Sequence, residues 1–91
     1  MLNAAIQDTD IMSPKQKEVF QVICNSEFPV SSSVIEDKMR VTRQAVYLTL
    51  KTLLDRGFIN RERGRVFLYK PNLAKQTELI KRYKHKHSLD K

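Results

Sequence analysis

Glycine occurs only twice in these 91 residues, at Gly57 and Gly64. A backbone cradle for nucleotide phosphates needs several closely spaced glycines, so that class of site is excluded. The sequence also lacks a nucleophile elbow and an H-E-x-x-H pair. A domain of this size has little room for an enclosed substrate pocket. The chain therefore reads as non-enzymatic, with no cofactor and no evident small-molecule ligand. Cysteine occurs once, at Cys24, inside an apolar helical pattern. An intramolecular disulfide is impossible, which fits a reducing cytoplasm, and Cys24 reads as a small core residue. The N-terminus has neither the basic leader nor the apolar run of a signal peptide. No run is long and apolar enough to span a bilayer, so no membrane partner is expected. Internal repeats and low-complexity tracts are missing too.

What is present is an uneven charge. From Met1 to Lys38 there are three basic and six acidic residues, a net charge of −3. From Met39 onward there are 14 basic and four acidic residues, a net charge of +10. A basic half beside an acidic half points to one face for a polyanion and another facing elsewhere.

The element pattern predicts one small domain with one modest core. Residues 1–12 show no clear period and are expected to form a flexible arm. Residues 13–71 carry the organised part. Ser13, Pro14 and Gln16 form a capping-box start, and Val19, Phe20, Val22 and Ile23 follow at helical spacing. A second, short helix opens in the run Ser31 to Ser33. Ser31 is favoured as its cap, because Val30 and Ile35 then fall at the staple positions, with Ser33 and Glu36 as the competing register. Val34, Ile35 and Met39 are expected to face inward. A third helix starts at Thr42, with Val46, Leu50, Leu53 and Leu54 as its inner row, and Gly57 ends it with Phe58 at C″. Phe58 to Arg61 and Arg65 to Lys70 form two antiparallel strands around Gly64. Residues 72–91 form a last helix and a basic tail. Asn72 caps that helix, which has Leu73, Leu79, Ile80 and Tyr83 as apolar positions that either close the core or meet a second subunit.

The run "VTRQAVYLTLKTLLDRGFINRERGRVFLYKP", together with "FPVSSSVIEDKM" before it, resembles the winged helix-turn-helix superfamily. The resemblance covers about Pro14 to Tyr69. Within it, "RQAVYLTLKTLLDRGFI" is similar to the corresponding helix of ferric-uptake-type, MarR-type and PadR-type regulators, whose longer sensory regions have no counterpart here. The expected fold is α+β, mainly α: a three-helix core, a two-stranded β-wing and a C-terminal helix. The expected function is that of a sequence-specific regulator of transcription, most simply a repressor, bound to double-stranded DNA as a homodimer. A plasmid or phage replication, partition or transfer factor, or a protein-docking winged helix, is the alternative.

In that geometry the third helix meets base edges in the major groove. Arg43, Gln44, Tyr47 and Lys51 lie opposite Val46 and Leu50. Arginine suits guanine, glutamine suits adenine, and tyrosine or lysine suits phosphate or a thymine methyl. Thr42, at the helix start, is placed for a phosphate. Arg61, Arg63 and Arg65 give the hairpin three arginines in five residues, positioned for backbone or for a narrow minor groove. Lys81, Arg82, Lys84 and Lys86 are expected either to touch DNA or to solvate the outside of a dimerising helix. His85 and His87 form an H-x-H without a cluster of further ligands, so no metal site is expected.

Overall fold

The computed structural model describes residues 1–87, in the order α1 (Leu2–Asp8), α2 (Pro14–Cys24), α3 (Ser32–Met39), α4 (Arg43–Asp55), β1 (Ile59–Arg63), β2 (Phe67–Pro71) and α5 (Leu73–Lys86). Four of the helices begin at a side-chain cap. Ser13 Oγ accepts from Gln16 N at 3.2 Å while Gln16 Oε1 accepts from Ser13 N at 3.4 Å, which completes the capping box. Ser31 takes Val34 N at 3.4 Å, so the Ser33 register is not used. Thr42 takes Ala45 N at 3.2 Å, and Asn72 takes Ala74 N at 2.9 Å. Each such cap contributes about 1 kcal/mol.

Helix α4 stops at Gly57, whose φ is +78°. Gly57 N donates to Leu54 O at 3.0 Å and Phe58 N to Leu53 O at 2.9 Å, the paired bonds of a Schellman motif. The motif turns Phe58 inward, where its ring meets Phe20 edge-on at 5.6 Å. A Cβ at Gly57 would approach only Lys75 Cε, at 3.8 Å. Gly57→Ala should therefore lower stability through backbone conformation alone, by about 1–2 kcal/mol in urea denaturation. A loss under about 0.3 kcal/mol would show that the left-handed turn carries no strain.

One core joins all five helices to the hairpin. Val19, Phe20 and Ile23 of α2 meet Ile35 of α3 and Val46, Leu50 and Leu53 of α4, closed by Phe58 and Ile59. Val34 was expected to face inward and does not; it is 37% exposed. Adjacent positions on a helix diverge, and Ile35 takes the inward one.

The N-terminal arm is also a correction. Residues 2–8 are helix α1, which packs on α5 and α2, with Ala5, Ile6 and Met12 all buried. Leu2, Ala5 and Ile6 do follow helical spacing, but a segment this short is not stable alone. Its partner supplies the stability: Leu79 of α5 is buried in the same cluster, and Ile80 and Tyr83 pack beside it. Leu73, expected as apolar lining, is instead exposed at the first residue of α5, one end beyond the packed stretch. At the far end, His87 and Lys86 hold Asp8 at 3.2 and 3.3 Å. Desolvation raises the Asp8 pKa, but hydrogen bonds to these two residues outweigh it and keep the carboxyl below its ordinary value. Residues 88–91 of the expected basic tail lie outside the described residues.

Arg56, just past α4, ties this layer to the reading helix. Its guanidinium donates to Gln16 Oε1 at 2.8 Å and to the Ile11 carbonyl, and lies 5.0 Å over the Phe58 ring. The wing strands pair antiparallel from Ile59↔Pro71 to Arg63↔Phe67, leaving Gly64, Arg65 and Val66 as the loop. Both strands start later than expected: Phe58 is consumed by the helix stop, and Arg65 and Val66 are taken up by the loop beyond the last pair, Arg63↔Phe67. Val30 adds a third rung on the outer edge of β2: its N donates to Tyr69 O at 3.0 Å, and its O accepts from Tyr69 N at 2.7 Å.

Candidate nucleic-acid interface

The turn from α3 to α4 is three residues, Arg40, Val41 and Thr42. Arg40 makes it tight by adopting φ 54°, the left-handed conformation that lets the backbone reverse at the end of α3. This helix-turn-helix presents the outer face of α4. Val46, Thr49, Leu50 and Leu53 are buried, so the opposite positions are open. Arg43, Tyr47 and Lys51 are exposed and follow one another at four-residue intervals, a row along the helix. Gln44 and Leu48 form a second exposed row beside it. Thr42 is exposed at the helix start, with its oxygen occupied by the cap and its O–H still able to donate.

The wing contributes the other wall. Alternation along the strands puts Arg61 and Arg63 on the face shared with Phe67 and Tyr69. The Arg61 guanidinium lies 4.0 Å over the Phe67 ring, which holds a long flexible cation against a flat support. Glu62 points to the opposite face and forms an ion pair with Lys70. The wing's one acid is thus kept away from its arginines. Arg65 is exposed in the loop, one residue beyond the point where the strands separate.

Between helix and wing runs a groove of about 440 Å³ lined by Tyr47, Lys51, Leu54, Asp55, Arg61 and Tyr69. It brings together three of the residues singled out in the sequence, Tyr47, Lys51 and Arg61. Arg43, Gln44 and Thr42 lie beyond it toward the start of α4, and Arg63 and Arg65 toward the wing tip. Among the described residues, Arg43, Lys51, Arg61, Arg63 and Arg65 make no ion pair with a carboxylate. Two residues of this surface were missed in the sequence. Asp55 closes the groove with a negative charge. Leu48, 56% exposed, lies on the open side, where only polar residues were read as contacts.

The remaining chemistry-bearing residues lie elsewhere. Cys24 is half-buried on α2, and burial pushes its thiol up to about 11. His87 is engaged by Asp8, and no group of three potential metal ligands is found among the described residues. No helix among those residues is long and apolar enough to cross a membrane.

Comparison with known proteins fits this geometry. The family model described as "Sugar-specific transcriptional regulator TrmB" matches residues 12–75. Among solved structures, a protein with unknown function from Listeria innocua Clip11262 is 26% identical, with a TM-score of 0.68 over 88% of this chain and 58% of that one. A ZitR variant from Lactococcus lactis superposes with a TM-score of 0.67 at 18% identity, covering 90% of this chain and 58% of its own. An ArsR-like transcriptional regulator from Rhodococcus sp. RHA1 gives a TM-score of 0.67 at 20% identity, covering 93% and 74%. The last two share the winged-helix fold at identities too low to say more. The chain spans 58% of the length of the first two structures. No curated protein matches it in sequence. The family match takes in α2, α3, α4 and the whole wing, and on it the chain belongs to the TrmB family of transcriptional regulators.

Proposed function

We propose that this DNA-binding regulator acts as a repressor, covering its operator as a homodimer in the cytoplasm. Helix α4 enters the major groove with Arg43 and Gln44 against base edges. Thr42, Tyr47 and Lys51 meet phosphates, and Arg61, Arg63 and Arg65 run along the flanking backbone or minor groove. Residues 13–71 make the contacts, and helix α5 completes the support behind them. The observation that carries this reading is the set of cations without carboxylate partners on α4 and the wing. Lys51 and Arg61 line one groove that also holds Asp55, Arg43 lies toward the start of α4 and Arg63 and Arg65 toward the wing tip, and the wing's Glu62 is bound to Lys70 on the opposite face. A wing charged for solubility alone has no need to turn its acid away from its arginines in this way. Dimerisation follows from the small number of base pairs one helix reads, since two half-sites multiply specificity.

Selection of bound sequences from a random duplex pool tests the reading, with a palindromic product expected. Enrichment of a single half-site would remove the dimer, and no enrichment would remove sequence-specific binding. Arg43→Ala and Gln44→Ala should each lose about 1–3 kcal/mol of discrimination between the selected site and random DNA. Both side chains are exposed, so circular dichroism should be unchanged. Equal losses on both duplexes would move the two residues from bases to phosphates.

A further inference from the structure

The exposed face of α4 carries two large side chains at its middle, Tyr47 with its polar hydroxyl and Leu48, which has no polar group. Leu48 lies one turn beyond Gln44 on the same row, opposite the buried Val46, Leu50 and Leu53, and is 56% exposed. Its own chain leaves the side chain open to solvent, although the helix has a well-formed core face elsewhere. A single exposed leucine is ordinary on most surfaces. This one stands one turn beyond Gln44, next to the N-terminal part of the helix that meets base edges when a helix-turn-helix seats in the major groove. The floor of that groove is a pattern of hydrogen-bond donors and acceptors, interrupted by one kind of apolar group, the 5-methyl of thymine. A leucine that loses its water there has only that group to pack against. Gln44, one turn before it, is the side chain suited to adenine. Neighbours on one row of a helix reach neighbouring base pairs, so both would be satisfied by a short stretch of A·T pairs.

We infer that Leu48 is a specificity-determining residue that packs on the 5-methyl group of a thymine in the operator half-site. The inference rests on the proposed docking of α4 in the major groove. Its test replaces each thymine of the selected duplex, one at a time, by deoxyuridine, which removes a methyl group and leaves every hydrogen bond in place. Binding is followed by fluorescence anisotropy at roughly 50 mM salt, where phosphate contacts keep weakened variants measurable. For the unaltered protein, one thymine per half-site should cost about fourfold in affinity when demethylated, the value of one buried methyl. For Leu48→Ala the same replacement should have no effect, and its affinity for the intact site should already be lowered. Leu48→Met, which keeps an apolar tip, should restore part of the sensitivity. Equal deoxyuridine effects in the unaltered protein and Leu48→Ala, or no effect at any thymine, would overturn the role of Leu48 while leaving DNA recognition standing. Failure of the unaltered protein to bind any duplex would overturn the docking itself.

Discussion

Raising the salt from roughly 50 to 200 mM should weaken duplex binding by about 10³-fold or more. Each phosphate neutralised by a lysine or arginine releases condensed counterions, so affinity falls as a power of salt concentration. Each copy of the chain offers Lys51, Arg61, Arg63 and Arg65 to phosphates, all exposed. Two copies bound together should neutralise roughly 6–10 phosphates. Anisotropy titrations across a salt series give the exponent directly. The double variant Arg63→Ala with Arg65→Ala should lower that exponent by about one for each phosphate left without its arginine. It should also weaken all duplexes, and A-tract sites more than G·C-flanked ones if the narrow minor groove is the target. A flat salt series would show that the basic half does not face nucleic acid. An unchanged exponent in the double variant would leave α4 alone in the interface.

The second large effect is on stability. Ile6→Ala should cost about 2–5 kcal/mol, because a fully buried branched side chain leaves a cavity as well as losing its burial. A domain of this size has about 5–15 kcal/mol in all, so the variant should unfold at a clearly lower urea concentration. Leu73→Ala is the control: Leu73 is 71% exposed, and its removal should change stability by about 0.5 kcal/mol or less. Equal midpoints for the two variants would return residues 1–12 to the status of a loose arm. A loss at Ile6 alone makes α1 an integral part of the core that supports α4.

That contrast also marks where the sequence could be followed and where it could not. The caps at Ser13, Ser31, Thr42 and Asn72 and the stop at Gly57 depend on residues two to five apart, so local chemistry determines them. The polar row Arg43, Tyr47, Lys51 follows from the same periodicity once the buried row is known. Helix α1 has too few residues for a periodic signal, and its stability comes from α5, some 70 positions away in the chain. The rung between Val30 and Tyr69 is equally non-local: Val30 looks like a staple residue and serves also as a strand. Leu48 lies outside the inner row Val46, Leu50, Leu53 and Leu54, and it was passed over because only polar residues on the open side were read as contacts. Asp55 was passed over because the groove it closes exists only when helix and wing face each other.

The Val30 rung has a mechanical consequence. It fastens β2 to the residue just before α3, so the wing's base and the helix-turn-helix are stitched into one rigid frame. The spacing between Lys51 on one side and Arg61 on the other is set before any duplex arrives. Little conformational freedom remains to be lost there on binding, which favours tight association with a duplex whose groove already matches that span. Beyond Arg63 and Phe67 the ladder ends, and one backbone bond, from Gly64 N to Val66 O at 3.2 Å, closes the tip. On the proposed docking, the frame would work as a fixed gauge with a more compliant fingertip, stringent toward DNA shape at the centre of the footprint and forgiving at the margin.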